Sequence, residues 1–319
     1  MSRLSDERRT GIGGTDAAKI LGLSRFGGPA DVYMEKLGLS APLVQTEVME
    51  WGNRLEDAVA TKYGDVHGIR PRKDKRVKRH PEHRWMLAHI DRWLPPDGLL
   101  DCKTTGLWSV NEWGEEGTDQ IPNDYLLQGL HYLGVTDGSY IDFALLIAGS
   151  KYREYRVERD EDMIEALIER EREFWFDHVL AKVPPPVDGT DASRELLNIR
   201  FPKAELASID PPPGFEERAL EWLALKAAHK AEEGRLAELG NLMREDLGSA
   251  EASSGPLYSV TWRNVKTPGK TTWAAALPEI IDLLDDPADQ ALANEIIARH
   301  TEPPGTTRRF EVRALEDVS

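Results

Sequence analysis

Asp101 and Lys103 lie two positions apart in Gly-Leu-Leu-Asp-Cys-Lys-Thr-Thr, residues 98–105. Leu99, Leu100 and the threonines favour an extended backbone, where side chains at i and i+2 share a face. An acid and an ammonium therefore point the same way, with Cys102 turned to the other side. One reading is a surface ion pair contributing roughly 0–1 kcal/mol. The other is half of a metal-dependent phosphodiesterase site. That chemistry needs carboxylates converging on Mg²⁺, a cation that takes oxygen ligands. A neighbouring lysine can orient the attacking water and offset charge developing on the phosphate. The D-x-K spacing alone does not choose between the two.

Further acids must come from other elements. Asp91 lies ten residues before Asp101 on a strand-like run, and a hairpin register pairing same-facing positions would bring the two together. Asp97 is nearer in sequence but falls in Pro-Pro-Asp-Gly, where a turn-forming role is expected. Glu56 flanks an apolar stripe of Leu55, Val59 and Tyr63 at helical spacing. Glu47, Glu50 and Asp57 are equally acidic, and periodicity does not select among them.

The elements that position these residues follow from patterning. Short helices are expected over 14–22 (capped by Thr15 or Asp16) and from Pro29, then a longer one over 46–64. Strands are expected over 75–79, 85–94 and 99–105, the last two forming a hairpin across the Pro-Asp-Gly turn. A helix over 122–136, paired strands over 138–149 and 151–159, and an amphipathic helix over 160–179 complete this part. The fold class is α/β: a mixed sheet flanked by helices, with a smaller C-terminal α+β appendage. Lys-Val-Pro-Pro-Pro-Val-Asp-Gly at 182–189 is the strongest punctuation, so domains of 1–187 and 188–319 are expected. In the second, 214–248 reads as a helical or coiled hairpin weakened at Gly234 and Gly240. Strands are expected over 256–265 and 308–315, flanking a helix over 271–284.

Among the 319 residues, 40% are hydrophobic and 30% charged, as in a soluble globular protein. A spanning apolar run of about 18 residues is absent, and the N-terminus lacks the apolar core of a secretory signal, so cytoplasmic residence is expected. The single cysteine excludes disulfide frameworks, four-cysteine zinc sites and four-cysteine iron–sulfur clusters. The net charge of −16 argues against a nucleic-acid partner at first sight. Yet residues 70–84 hold eight Lys or Arg against two acids. Such a strip suits either a solvated edge or phosphate tracking.

Four stretches in order, Arg-Arg-Thr-Gly-Ile-Gly-Gly-Thr-Asp-Ala-Ala, Met-Glu-Trp-Gly-Asn-Arg-Leu-Glu-Asp-Ala-Val-Ala, Ala-His-Ile-Asp through Asp-Cys-Lys-Thr-Thr, and Tyr-Leu-Leu-Gln-Gly-Leu-His-Tyr-Leu-Gly-Val-Thr, resemble the YqaJ/lambda-type exonucleases of phage recombination systems, members of the PD-(D/E)xK nuclease superfamily. The resemblance covers about residues 8–180. It implies that Glu56, Asp91 and Asp101 hold metal and that Lys103 is catalytic. Gln128 and Tyr132 match a Q-x-x-x-Y placed near the scissile phosphate. Asp101 stands where the family usually has Glu, and His-Ile-Asp replaces a more usual Pro-Asp. Arg9 and Thr15, with Arg8 as the alternative to Arg9, match positions that hold a 5′-phosphate, and the Gly-rich turn into a helix also offers free N–H groups.

The resemblance further implies a Mg²⁺-dependent 5′-to-3′ exonuclease, with Mn²⁺ substituting, acting on linear double-stranded DNA ends. It would leave 3′ overhangs for a single-strand annealing protein. A homo-oligomer (a trimer), the host cytoplasm and a phage or prophage origin go with it, and no membrane. A restriction-like endonuclease using the same residues and a non-catalytic DNA-end-binding scaffold are the alternatives. Three features are decoys. Gly-Lys-Thr at 269–271 lacks the P-loop's first glycine, since position 264 is Asn. His80 and His83, with His67 and His89, lack metal-ligand spacing. Phe-Trp-Phe at 174–176 reads as core or subunit contact.

Overall fold

The computed structural model describes residues 7–40, 45–74, 76–107, 109–204, 208–264, 273–282 and 286–300. It forms two compact units, Met1–Phe201 and Pro202–Ser319.

The first unit is built on a four-stranded mixed sheet, β4 (Arg92–Leu94), β5 (Gly98–Thr105), β6 (Tyr140–Ile147) and β7 (Lys151–Glu158), in that spatial order. β5 and β6 run parallel and the flanking pairs antiparallel. Parallel neighbours need a long crossover, here the helix Asn123–Thr136, numbered α4 below. Leu99, Ile141, Phe143 and Leu145 face the larger core, which also takes in Leu130 and Leu133 of that helix. Leu100 and Ala144 face the other way, onto Val59, Ala60 and Tyr63 of the helix Glu47–His67 (α3). Strand alternation thus divides the site residues: Asp101 and Lys103 share the α4 face with Leu99, while Cys102 joins the α3 face.

Before α3 come α1 (Gly14–Ile20) and α2 (Pro29–Leu37). A second small sheet pairs β1 (Ile12–Gly13) with β3 (Met86–Ala88) in parallel, and β3 with β2 (Lys78–Arg79) antiparallel. Gly11 is required where β1 approaches β3, because a Cβ there would lie 2.1 Å from the carbonyl oxygen of Trp85. After the sheet, α5 (Glu161–Glu173) passes into a π-helical stretch, Phe174–Leu180, whose Phe174 and Trp175 are core residues, as the decoy reading expected.

The structure amends several sequence expectations. The run over 85–94 is two strands in two sheets, interrupted at His89–Asp91, because β3 pairs with β1 and β2 while β4 pairs with β5. The cap of α1 is Gly13; Asp16, expected as a cap, is the third helical residue, and its Oδ2 accepts from Gly13 N at 2.8 Å. The first unit extends to Phe201 rather than 187, since α6 (Asp191–Arg200) buries Ala192, Ser193 and Leu196.

In the second unit the expected hairpin is one helix, α7 (Phe215–Leu247), continuous through Gly234 and Gly240. No residue of it is buried, and Leu220, Leu225, Leu236 and Leu242 are exposed. A hairpin of β8 (Ala252–Gly255) and β9 (Tyr258–Thr261) follows, then α8 (Trp273–Asp282) and α9 (Pro287–His300). The expected strand over 308–315 and the Gly-Lys-Thr decoy at 269–271 lie outside the described residues. Among the described residues no helix is long and apolar enough to cross a membrane.

Candidate active site

The β4–β5 hairpin sets the carboxylate geometry. Its register pairs Arg92 with Leu100, Trp93 with Leu99 and Leu94 with Gly98. One step further, the same register brings Asp91 opposite Asp101. Cys102 N donates to Asp91 Oδ2 at 2.9 Å, which fixes that side chain at the strand end. Burial, then the charge of Asp101, pushes the Asp91 carboxyl up to about 8. Lys103 Nζ lies 2.9 Å from Asp101 Oδ2, with 17% of the lysine side chain exposed. The contact lacks the angular geometry of a hydrogen bond, so Asp101 Oδ2 is buried with no directed donor. Burial opposes the Lys103 charge, but Asp101 and Asp91 outweigh it and hold the ammonium above its ordinary range.

Helix α4 supplies the facing wall. Lys103 Nζ donates to Gln128 Oε1 at 3.1 Å, Gln128 Nε2 donates to the Tyr132 hydroxyl at 2.9 Å, and the Tyr125 ring lies 4.9 Å from the ammonium. Tyr125, Gln128 and Tyr132 are spaced three and four apart, which stacks them on one helical face. The helix is itself anchored: buried His131 bonds Glu171 through Nδ1 at 2.8 Å and the Leu87 carbonyl through Nε2 at 2.9 Å.

Glu56 lies on α3, on the opposite side of the sheet from Lys103. Its Oε1 accepts from Arg92 Nη1 at 2.6 Å and lies 3.1 Å from Lys73 Nζ. It is close enough to Asp91 to add to the repulsion there. The structure therefore gathers Asp91, Asp101, Lys103, Gln128 and Tyr132, and holds Glu56 in a cationic clamp beside them. Among the described residues, no three acidic, histidine or cysteine side chains converge closely enough to make a complete metal ligand set. Asp97 stays in the hairpin turn. His80 Nδ1 accepts from the backbone of Glu82 and His83, a loop arrangement.

Tyr132 also borders a cavity of about 170 Å³, lined by Arg8, Thr15, Asp16, Lys36 and His89 among others. Gly14 forms part of its wall, and a Cβ there would lie 2.5 Å from the Tyr132 ring, so α1 and α4 meet through a glycine. Lys36 is almost wholly buried and donates to Asp16 Oδ2 at 2.6 Å and to the Arg8 carbonyl at 3.0 Å. Arg8 Nε donates to Glu35 at 2.8 Å, and its Nη2 lies 3.8 Å from Asp16. Burial pushes the Asp16 carboxyl up, but Lys36 and Arg8 more than offset this and hold it below its ordinary range. Thr15 is exposed at the rim. Arg8 therefore enters this cavity, whereas the Arg9 guanidinium lies against Gly38.

Sequence reasoning did not single out Lys36, Arg92 or Tyr125, and it gave Asp16 only a capping role. The three-and-four spacing of Tyr125 with Gln128 and Tyr132 was a usable signal for one of them. Nothing in the local pattern marks Lys36 as buried.

Residues 5–139 match the family model described as the YqaJ-like viral recombinase domain. The chain is 35% identical over 264 residues to the protein YqaJ of Bacillus subtilis (strain 168), a match covering 81% of this chain and 82% of that protein. Among solved structures, the alkaline exonuclease LHK-Exo of Laribacter hongkongensis aligns with TM-score 0.47 and 17% identity over 56% of this chain and 92% of its own. A phage related exonuclease from Haemophilus somnus 129PT aligns with TM-score 0.41 and 13% identity over 56% and 99%. The family match and the extent of the YqaJ identity place this chain in the family of YqaJ-like viral recombinase domains.

Proposed function

We propose that this protein is a divalent-metal-dependent exonuclease that digests the 5′-ended strand of linear duplex DNA. The observation that carries this is the hairpin end itself, where Asp91 faces Asp101 and Lys103 bridges from Asp101 to Gln128. The residues fit a hard cation: two carboxylates oppose each other, Asp101 buried and Asp91 half-buried, and one of their oxygens, Asp101 Oδ2, has no directed donor. Asp91 and Asp101 would hold Mg²⁺ or Mn²⁺, with Glu56 beside them in its clamp. When bound, the ion supplies Lewis-acid activation of water and charge on the phosphate.

The remaining steps belong to the chain's own groups. Lys103 keeps its proton, and its ammonium is placed to donate to the attacking water or to a non-bridging phosphate oxygen. Gln128 must present its carbonyl oxygen to Lys103, because an ammonium has no acceptor to offer an amide N–H. Its NH₂ then donates to Tyr132. The Tyr132 oxygen accepts that bond, so its own O–H is free to donate elsewhere. Tyr132 borders the Arg8 cavity, and a terminal 5′-phosphate seated there would take a charge-assisted bond from Arg8. Thr15 at the rim supplies a further hydroxyl. Product 3′ overhangs suit a single-strand annealing protein as partner, and a homo-oligomer would enclose the duplex.

The decisive experiment uses linear duplex labelled at the 5′ or the 3′ end, with closed circular duplex alongside, in Mg²⁺. Early release of the 5′ label, retention of the 3′ label and an intact circle are expected. Cutting of the closed circle would establish the endonuclease reading instead. Binding without release of either label in Mg²⁺ or Mn²⁺ would leave a DNA-end scaffold.

A further inference from the structure

Apart from Lys73, which lies 3.1 Å from Glu56, the basic strip of residues 70–84 is not used by the catalytic cluster. It folds into β2 and the turn leading to β3, and with Trp93 and the C-terminal end of α4 it borders an open groove of about 410 Å³. Lys78, Arg79 and Arg84 line one side; Val135 and Thr136 line the other. Thr136 is eight residues beyond Gln128, about 12 Å further along the helix. The groove therefore lies at the C-terminal end of α4, about two turns beyond the mid-helix catalytic amide.

Two ordinary explanations fall short. Cations near a helix C-terminus complement its dipole, but that end carries only about half a charge. Asp74 is shared by Arg76 and Lys78, at 2.8 and 2.7 Å. Counting Asp74, the helix end and the cap Asp137 in full still leaves the groove positive. Protection of an edge strand needs exposed charge, not an oriented one. Arg79, however, is oriented: its Nη1 donates to the Arg84 carbonyl at 3.0 Å and its Nη2 to Thr10 Oγ1 at 2.8 Å, both neutral acceptors. Among the described residues Arg84 has no side-chain partner. Beside them Trp93 keeps its Nε1–H buried without an acceptor.

From these observations we infer that the groove is a second nucleic-acid subsite, holding the phosphodiester backbone of one DNA strand away from the point of hydrolysis. It rests on the reading of this protein as a DNA enzyme. The volume is at the small end of ligand clefts, which suits one strand's backbone rather than a whole duplex. Its Arg79 and Arg84 guanidinium groups match phosphate in fork geometry and charge. The cations of Lys78 at 5.4 Å and Arg72 at 5.9 Å already attend the Trp93 ring, so contact is made with phosphate, not by base stacking.

The test measures binding of the full chain without divalent metal, so that nothing is cleaved. Fluorescein-labelled single-stranded and duplex oligonucleotides are titrated across a salt series with wild type and with the R79Q/R84Q variant. Each lost phosphate contact lowers the salt slope by roughly 0.7 on single strands and 0.9 on duplex. The double variant should therefore show a slope smaller by about 1.5, and affinity near 0.1 M salt weaker by roughly 20-fold or more. The DNA form with the larger loss identifies the strand that occupies the groove. Unchanged slopes on both forms overturn the inference. So does an equal loss for poly-glutamate, which would make the groove a general polyanion or acidic-protein surface. Thermal unfolding of the variant, matched to wild type, separates lost contact from lost fold; if R79Q/R84Q is destabilised, R84Q alone, whose side chain is exposed, is used with half the slope change expected. Cleavage of linear duplex by wild type in Mg²⁺ is scored separately, so the subsite can fail while the nuclease reading stands, and the reverse.

Discussion

Asp16 and Asp91 are the same residue type, each largely withdrawn from water, yet their surroundings drive them in opposite directions. Burial alone raises a carboxyl's pKa. At Asp16 the buried ammonium of Lys36 and the guanidinium of Arg8 reverse that effect. At Asp91 the nearest strong influence is another carboxylate, and the effect of burial is reinforced. The N-terminal cavity is thus balanced internally, with Arg8 turned toward it. At the hairpin end Asp101 and Glu56 both bear on Asp91, Lys103 is paired with Asp101, and Arg92 and Lys73 are taken up by Glu56. The difference explains how one helix, α4, can border both a place suited to a phosphate and a place suited to a metal.

The strongest way to break this contrast is at Lys103. Lys103→Ala removes the cation that bridges Asp101 and Gln128, and single-turnover cleavage of linear duplex should fall roughly 10²–10³-fold, the cost of losing one transition-state donor. DNA binding measured without metal should change little. Cleavage at the wild-type rate would remove Lys103 from the chemistry.

Arg8→Ala tests the other side. Wild type should digest duplex ending in 5′-phosphate faster than duplex ending in 5′-hydroxyl. Loss of a charge-assisted bond costs about 1.5–3 kcal/mol, so the variant should lose roughly tenfold or more of that preference while its rate on hydroxyl ends holds. Arg9→Ala, at the residue turned toward Gly38, should keep the preference. If Arg9→Ala abolishes it and Arg8→Ala does not, the cavity is not the phosphate site.

The smallest effect concerns stability in acid. The Asp16 carboxyl titrates below its ordinary 3.8 in the folded chain, so on acidification the unfolded state takes up the proton first. Its contribution to stability is complete above that ordinary value and is lost as pH falls through the lowered folded one. Urea unfolding between pH 6 and 3 should therefore show a shallower acid decline for Asp16→Asn than for wild type. Parallel declines would mean that Lys36 and Arg8 do not set the charge of Asp16.

Much of this arrangement was legible from residue patterns, and the exceptions have physical causes. The extended run of β5 and the Pro-Asp-Gly turn fix the hairpin, and its register follows from strand geometry, so the facing of Asp91 and Asp101 could be anticipated. The break between β3 and β4 could not: Ile90 continues the apolar pattern through it, and only partner choice divides the strands. Arg8 and Arg9 are adjacent, and which one turns inward depends on where α2 and Glu35 lie. Lys36 is buried because Asp16, twenty residues earlier, meets it, a contact no local window contains. The first unit ends at Phe201 because two residues of α6, Ala192 and Leu196, find core places that proline punctuation upstream does not reveal. Gly234 and Gly240 lower helical propensity by about 1 kcal/mol each, too little to divide a helix of 33 residues.

Gln128 and Tyr132 project from successive turns of the same rigid rod. A loop joining the two places would let their separation drift with thermal motion, whereas helix geometry holds it constant to within small bending. The rod is bolted at its middle by the buried His131–Glu171 contact and abuts α1 at Gly14, where even a methyl group would push the tyrosine ring aside. The chain thus carries a fixed gauge between the hairpin end and the Arg8 cavity, and any substitution that bends α4 miscalibrates both at once.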